Sequence, residues 1–304
     1  MPAGAEHMRF PVSWMLAVCC AAAALAGCGS GSGGPDVLTA PIRVVRTPDG
    51  TVAYRELGSG PALLLITGAA ASMDGWPPSF VDALAAHHEV VVFDNAGVGR
   101  TSAVPAPGSL SITAMASQTS ALISALGLRR PAVLGWSMGG MIAQALAVSH
   151  PALVSRLILA ATAVGTGKGR PIPQPATAEF VRSPAKIVAG LFPKNQAAAA
   201  RAYLNDIEQY PGLYWESAAT YQSQYLAVQR WVAGQDAAGR LVGDIRVPTL
   251  VADGTLDQFI GMANDRLLAS SVPGAKLLLF DGAGHAFWFQ DAARFIPAVE
   301  TFIG

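Results

Sequence analysis

Apolar residues recur along this chain in two rhythms, and the rhythm changes from place to place. Residues 42–47 (IRVVRT) and 51–57 (TVAYREL), separated by PDG, predict two strands joined by a tight turn. Four continuously apolar runs follow, ALLLIT (62–67), EVVVFD (89–94), PAVLGW (131–136) and VSRLILAATA (154–163). Helical stretches lie between them; in SITAMASQTSALISALGL, Ile112, Met115, Leu122, Ile123 and Leu126 fall near one face. Buried apolar strands alternating with helices imply an α/β fold with a mostly parallel sheet covered on both faces. From residue 164 the rhythm breaks. GTGKGRPIPQP has loop composition, and the stretch to about 244 reads as helices without strands, QAAAARAYLNDIEQYP and LYWESAATYQSQYLAVQRWVAG being the clearest. The alternation then resumes with PTLVADG (248–254), a helix over ANDRLLASSV, AKLLLFDG (275–282) and a final helix from Phe287 to Ile303. The expected organisation is a core over 41–163 and 245–304, interrupted by a helical cap over 164–244.

The N-terminus follows neither rhythm. Arg9 precedes FPVSWMLAVCCAAAALAGC, an apolar stretch short for a membrane span and ending in small residues, as a secretory leader does. Its last four residues, Leu25 to Cys28, resemble the bacterial lipobox. That resemblance implies a signal peptide over 1–27, cleavage before Cys28 and a diacylglyceryl group on the Cys28 thiol. Counting from Met8 rather than Met1 gives a more compact leader with its charge next to the start. Residues 28–40, opening with GSGSGGPD, have flexible-linker composition. The expected location is the bacterial cell envelope, lipid-anchored to a membrane. All three cysteines, Cys19, Cys20 and Cys28, lie in or at the end of the leader, so the folded part has no internal disulfide to draw on.

Composition narrows the partners. Of 304 residues, 52% are hydrophobic and 13% charged, and 20 basic against 20 acidic side chains leave no net charge. This is a globular balance without the basic footprint of a nucleic-acid binder, and no Lys/Arg cluster creates one locally. No obligate protein partner is evident.

The run LGWSMGGMIAQ (134–144) sets one serine between glycines where a strand stops and a helix begins. A plain turn has similar composition, but strand, tight turn and helix together are the context of a nucleophile elbow. There Ser137 is held in a strained conformation, with Gly135 and Gly139 supplying room and a helix N-terminus below favouring negative charge.

A serine hydroxyl requires a base and a group to orient that base. His7 lies upstream of the leader, His87 and His88 sit at an expected exposed helix end, and His150 before Pro151 marks a helix terminus. His285, in the Gly-flanked loop DGAGHAFWFQ after a strand, lies on the strand-end edge that also carries the elbow. ADGTLDQF offers two acids, Asp253 and Asp257, and either gives the chain order Ser, Asp, His.

Four stretches, GWSMGG, FDNAGVGRTS, ADGTLDQF and GAGHAFWF, stand in this order between residues 62 and 290, and with them the chain resembles the α/β-hydrolase family. Members of that family usually carry G-x-x-D at the acid. Gly254 to Asp257 fits, which makes Asp257 the candidate acid and Asp253 the weaker one. The resemblance also implies an oxyanion hole from the backbone N–H of Met138 and that of Ala69, in the loop LLLITGAAASMDGW. Many relatives have His-Gly where this chain has Thr67-Gly68, which leaves the donors in place and raises the question of what holds the loop. FDNAGVGRTS imitates a phosphate loop, but Asp94 stands where its first glycine belongs and Arg100 replaces the lysine. No zinc-like Cys/His spacing is present.

The expectation is a serine hydrolase that cleaves an ester-type bond of a small hydrophobic substrate through an acyl-enzyme, with Ser137, His285 and Asp257 as its triad, without metal or organic cofactor. Alternatives are a hydrolase-like ligand-binding lipoprotein with little turnover, and a carbon-carbon bond hydrolase on the same triad. Phe192, Tyr214, Trp215, Tyr221 and Tyr225 either line an apolar pocket or pack the cap.

Overall fold

Eight of the expected extended segments pair into one sheet in the computed structural model, which describes residues 34–102, 110–173 and 183–304. The expected leader, Cys28 with the first part of the expected linker, and residues 103–109 and 174–182 lie outside the described residues. The strands are β1 (Arg43–Thr47), β2 (Gly50–Leu57), β3 (Ala62–Ile66), β4 (Glu89–Phe93), β5 (Ala132–Trp136), β6 (Arg156–Ala160), β7 (Thr249–Gly254) and β8 (Lys276–Phe280). Their order across the sheet is β1-β2-β4-β3-β5-β6-β7-β8. β1 and β2 form the antiparallel hairpin, β2 pairs antiparallel with β4, and every pairing from β4 to β8 is parallel.

The strand period of two sorts neighbouring residues onto opposite faces. Leu64, Ile66, Val91, Phe93 and Val133 pack with Ile112, Met115 and Leu122 of α2 (Ile112–Leu126) and with Met141, Ile142 and Leu146 of α3 (Met138–Ser149). Leu63, Leu65, Val90, Val92 and Leu134 face Phe80, Val81 and Leu84 of α1 (Pro78–Ala85), together with Trp76, Trp288 and Phe295. The α2 boundaries follow local chemistry: the Ser111 hydroxyl accepts from Ala114 N–H at 3.0 Å at its start, and Gly127 at φ 68° ends it.

Between β6 and β7 the chain leaves the sheet and forms α4 (Pro184–Gly190), α5 (Ala197–Ile207), α6 (Ala218–Val232) and the 3₁₀ segment Ala238–Asp244. Its one extended contact among the described residues is an antiparallel bridge from Trp215 to Ala71. α7 (Met262–Ser271) then separates β7 from β8. No helix among the described residues is long and apolar enough to cross a membrane.

Two local expectations are corrected. The final helix is not continuous but splits into α8 (Phe287–Gln290) and α9 (Ala292–Ile303), because Asp291 leaves the helical region at φ −124°, ψ 39°. The break lets Phe287 and Trp288 from one piece and Phe295 and Val299 from the other enter the same core. His88 is not exposed: α9 covers it, and its Nε2 stands 2.9 Å from Glu300 Oε2.

Candidate active site

Ser137 follows the last residue of β5 and precedes the first of α3, at φ 56° and ψ −119°. A non-glycine residue there costs on the order of 1–3 kcal/mol. Met141, Ile142 and Leu146 are buried on the helix that follows, each contributing about 1.5–3 kcal/mol, so packing of α3 outweighs the strain. The kink is also tied directly: Ser137 N–H donates to Ala160 O at 2.9 Å, and Thr162 Oγ1 donates to Ser137 O at 2.7 Å. Glycine is required at 139, where a Cβ would lie 2.1 Å from Ile66 O.

His285 and Asp257 arrive on loops beyond β8 and β7. Leu256 N–H donates to Ala283 O at 2.8 Å, and a Cβ on Gly254 would fall 2.2 Å from that same carbonyl, so the two loops touch. His285 Nδ1 lies 2.7 Å from Asp257 Oδ2, with both side chains buried. Asp257 Oδ1 accepts from Phe259 N–H at 2.7 Å and Ile260 N–H at 3.3 Å. Burial opposes its charge, yet the facing imidazole, their hydrogen bond and the Phe259 N–H hold the Asp257 carboxyl below its usual range. The other flank of the base is fixed by Trp136, whose indole N–H donates to His285 O at 3.1 Å, and by the Phe259 ring 5.0 Å from the imidazole.

Asp253 is not brought to His285. Its Oδ1 accepts from Gly254 N–H at 2.7 Å, while Oδ2 is buried with no hydrogen-bond partner among the described residues. Burial first, then the neighbouring carboxyls of Asp257 and Asp265, push its pKa well above the carboxylate range. Asp265, likewise buried on α7, is pushed up to about 7 by burial.

The backbone N–H groups of Ala69 and Met138 have no acceptor among the described residues, and both residues line the space around Ser137. What holds the Thr67-Gly68 loop is Asn95, whose Nδ2 donates to Thr67 O at 3.1 Å and to Thr67 Oγ1 at 3.2 Å. Asp94 Oδ1 accepts from Met73 N–H at 2.8 Å, and burial pushes that carboxyl up to about 7. The inserted helices grip the same loop: Tyr203 OH donates to Gly75 O at 2.5 Å, Tyr210 OH to Trp76 O at 2.9 Å, and Ser72 Oγ to Tyr214 O at 2.9 Å.

Two pockets meet over the serine, sharing Ala69, Ala70, Ser137, Ile187, Leu191 and His285. Tyr214 and Trp215 line the first, Tyr221 and Tyr225 the second, whereas Phe192 is buried in the core against Tyr203 and Phe289. No Lys, Arg, Asp or Glu lines either one among the described residues. Among the described residues no group of three or more His, Cys, Asp and Glu is placed to hold a metal ion.

Asn95, Thr162, Trp136 and the Tyr203–Tyr210 pair are contributors that sequence reasoning did not single out. For Asn95 and Trp136 a signal existed, since they stand in FDNAGVGRTS and GWSMGG; Thr162, Tyr203 and Tyr210 act through distant backbone groups and left none.

A family model described as alpha/beta hydrolase fold matches residues 61–292. The 2-hydroxy-6-oxononadienedioate/2-hydroxy-6-oxononatrienedioate hydrolase of Paraburkholderia phymatum is 27% identical, the match covering 83% of this chain and 91% of that protein. The poly(3-hydroxyalkanoate) depolymerase of Ectopseudomonas oleovorans is 29% identical over 79% of this chain and 83% of its own length. The polyketide synthase ThaQ of Burkholderia thailandensis is 33% identical over 81% of this chain, which spans only 12% of that protein. Among solved structures, an alpha/beta hydrolase fold protein from Chitinophaga pinensis superposes with a TM-score of 0.76 at 24% identity, covering 88% of this chain and 98% of that one.

Proposed function

Since the chain belongs to the alpha/beta hydrolase fold family, we propose that it is a serine hydrolase cleaving an ester-type bond of a small, uncharged, largely apolar substrate. The observation that carries this reading is the convergence on one pair of cavities of a strained serine and an imidazole backed by a buried carboxyl. In this mechanism His285 takes the Ser137 hydroxyl proton as Oγ adds to the carbonyl carbon. Ala69 and Met138 N–H donate to the oxygen that becomes negative. Collapse breaks the bond to the leaving oxygen, which takes the proton back from His285. Water, deprotonated by the same ring, then releases the acid and frees the serine. Asp257 stabilises the imidazolium in both halves.

A carbon-carbon bond hydrolase on the same residues is the second reading, favoured by the likeness to the Paraburkholderia phymatum enzyme. A dioate carries two carboxylates, however, and buried carboxylates require cationic partners. The cavity linings supply none among the described residues, which supports a neutral substrate. We further propose that the protein is exported and anchored at a membrane surface by lipid on Cys28, from the LAGC run that ends its apolar leader.

The test is a fluorophosphonate probe together with a chain-length series of neutral esters, set against the same acyl groups ending in carboxylate. Labelling at Ser137, absent in Ser137→Ala, and a preference for neutral esters are expected. Labelling undiminished in Ser137→Ala, or faster turnover of the carboxylate-ended esters, overturns the reading.

A further inference from the structure

Two buried polar side chains beside the oxyanion loop take no part in the chemistry above. Glu216 follows Trp215, which bridges to Ala71, and Gln224 stands two turns further along on α6. They are 6% and 0% exposed. Gln224 Oε1 accepts from Ala70 N–H at 3.4 Å, while Gln224 Nε2 and both Glu216 oxygens have no hydrogen-bond partner within normal reach among the described residues. Ala70 itself is held at φ 66°, a conformation that an alanine adopts only when its surroundings impose it. The peptide that donates to Gln224 is the one following Ala69, so the amide holds the loop one residue from the candidate donor.

We propose that Gln224 and Glu216 are positioning residues of the oxyanion hole: Gln224 fixes the peptide after Ala69, and Glu216 supports that arrangement only as a neutral acid, so that its ionisation disarms the hole. This rests on the serine-hydrolase reading of the site. The nearby Ala70 N–H and Gln224 amide favour the charged form of Glu216, but burial outweighs them; a neutral carboxyl there adds no charge to the loop. A carboxylate in the same place sets a negative charge beside the developing oxyanion, in surroundings where water does not screen it. The groups facing Glu216 are the Ala70 N–H from the loop, Gln224 and Tyr221 from α6, and Asp94 from the end of β4, with Arg55 and Asp74 behind Asp94. Burial, with Asp94 adding to it, pushes Glu216 up to about 8, whereas burial pushes Tyr221 up to about 12. Asp94, at about 7, loses its proton first. Only Glu216 then titrates on the alkaline side of neutrality among these groups.

The test is kcat and KM for a neutral ester from about pH 6 to 10, with melting temperature, for the full chain, Glu216→Gln and Gln224→Met. The wild type is expected to lose kcat, and not KM, through a midpoint near pH 8. Glu216→Gln, of equal size and always neutral, is expected to keep its neutral-pH kcat and lack that alkaline loss. Gln224→Met weakens one donor rather than deleting it. Deletion costs on the order of 10²–10³, so a loss of about tenfold in kcat is expected, matched by weaker binding of a boronic acid and with KM unchanged. An alkaline loss that persists in Glu216→Gln overturns the proposal. So do Gln224→Met kinetics equal to wild type. If Gln224→Met does not fold, the pH profile of Glu216→Gln decides alone. A wild type that neither labels with fluorophosphonate nor turns over any ester overturns the reading of the site itself, a result distinct from an active enzyme with unaffected variants.

Discussion

Asp253 and Asp257 show how much four residues of chain change an acid. Both sit in ADGTLDQF and both are buried, yet one meets an imidazole at 2.7 Å and the other meets carboxyls. Asp257 is therefore the acid able to hold the Nδ1 proton of His285. Asp257→Asn is expected to lose on the order of 10⁴ in kcat with little change in melting temperature, going by the aspartate replacement in a serine protease. Asp253→Asn keeps an acceptor for Gly254 N–H and leaves the His285–Asp257 pair in place, so it is expected to hold kcat within about twofold and to act on melting temperature only. Steady-state kinetics beside thermal melts separate the two, and an active Asp257→Asn with an inactive, folded Asp253→Asn would transfer the role. The G-x-x-D spacing made Asp257 legible in sequence. That Asp253 is enclosed with Asp265 was not, because Asp265 lies on the following helix and reaches the strand end only in the folded chain.

Among the elements, strands and core helices were legible because each buries a face at its own period, a signal carried by neighbouring residues. The grip of the inserted helices on the oxyanion loop was not: Tyr203, Tyr210 and Gln224 reach backbone groups more than a hundred residues away. The same contact region makes stability depend on pH. Asp94 and Glu216 rise from ordinary values of 3.8 and 4.5 to about 7 and about 8 in the folded protein, chiefly through burial. The folded state thus keeps two protons that the unfolded chain releases. Their contribution is fully present below the unfolded values and is lost as pH rises through the folded ones. Melting temperature is expected to fall between about pH 5 and 8, and to fall less steeply in Glu216→Gln. A steeper fall in that variant, or none in the wild type, would contradict this sign.

At the scale of the whole molecule, the proposed leader and the folded part rest on different signals. The proposed leader rests on a linear pattern, an apolar run ending in small residues and a cysteine. Mass spectrometry of the membrane fraction is expected to show a mature chain beginning at an acylated Cys28; an unmodified N-terminus elsewhere removes the anchor. The folded part obeys longer rules. The alternation of apolar strands with amphipathic helices already pointed to a mostly parallel sheet covered on both faces, since that arrangement buries such strands while pairing their backbone groups. Ser137 and His285 could be picked out in sequence because an elbow and a Gly-flanked loop leave local marks. Sequence left open what holds the Thr67-Gly68 loop, which is Asn95, and did not show that α9 buries His88. Each of these is a contact between segments distant in sequence, set by how the sheet edge, the loops and the inserted helices close on one another, and side-chain types alone carry no record of that closure.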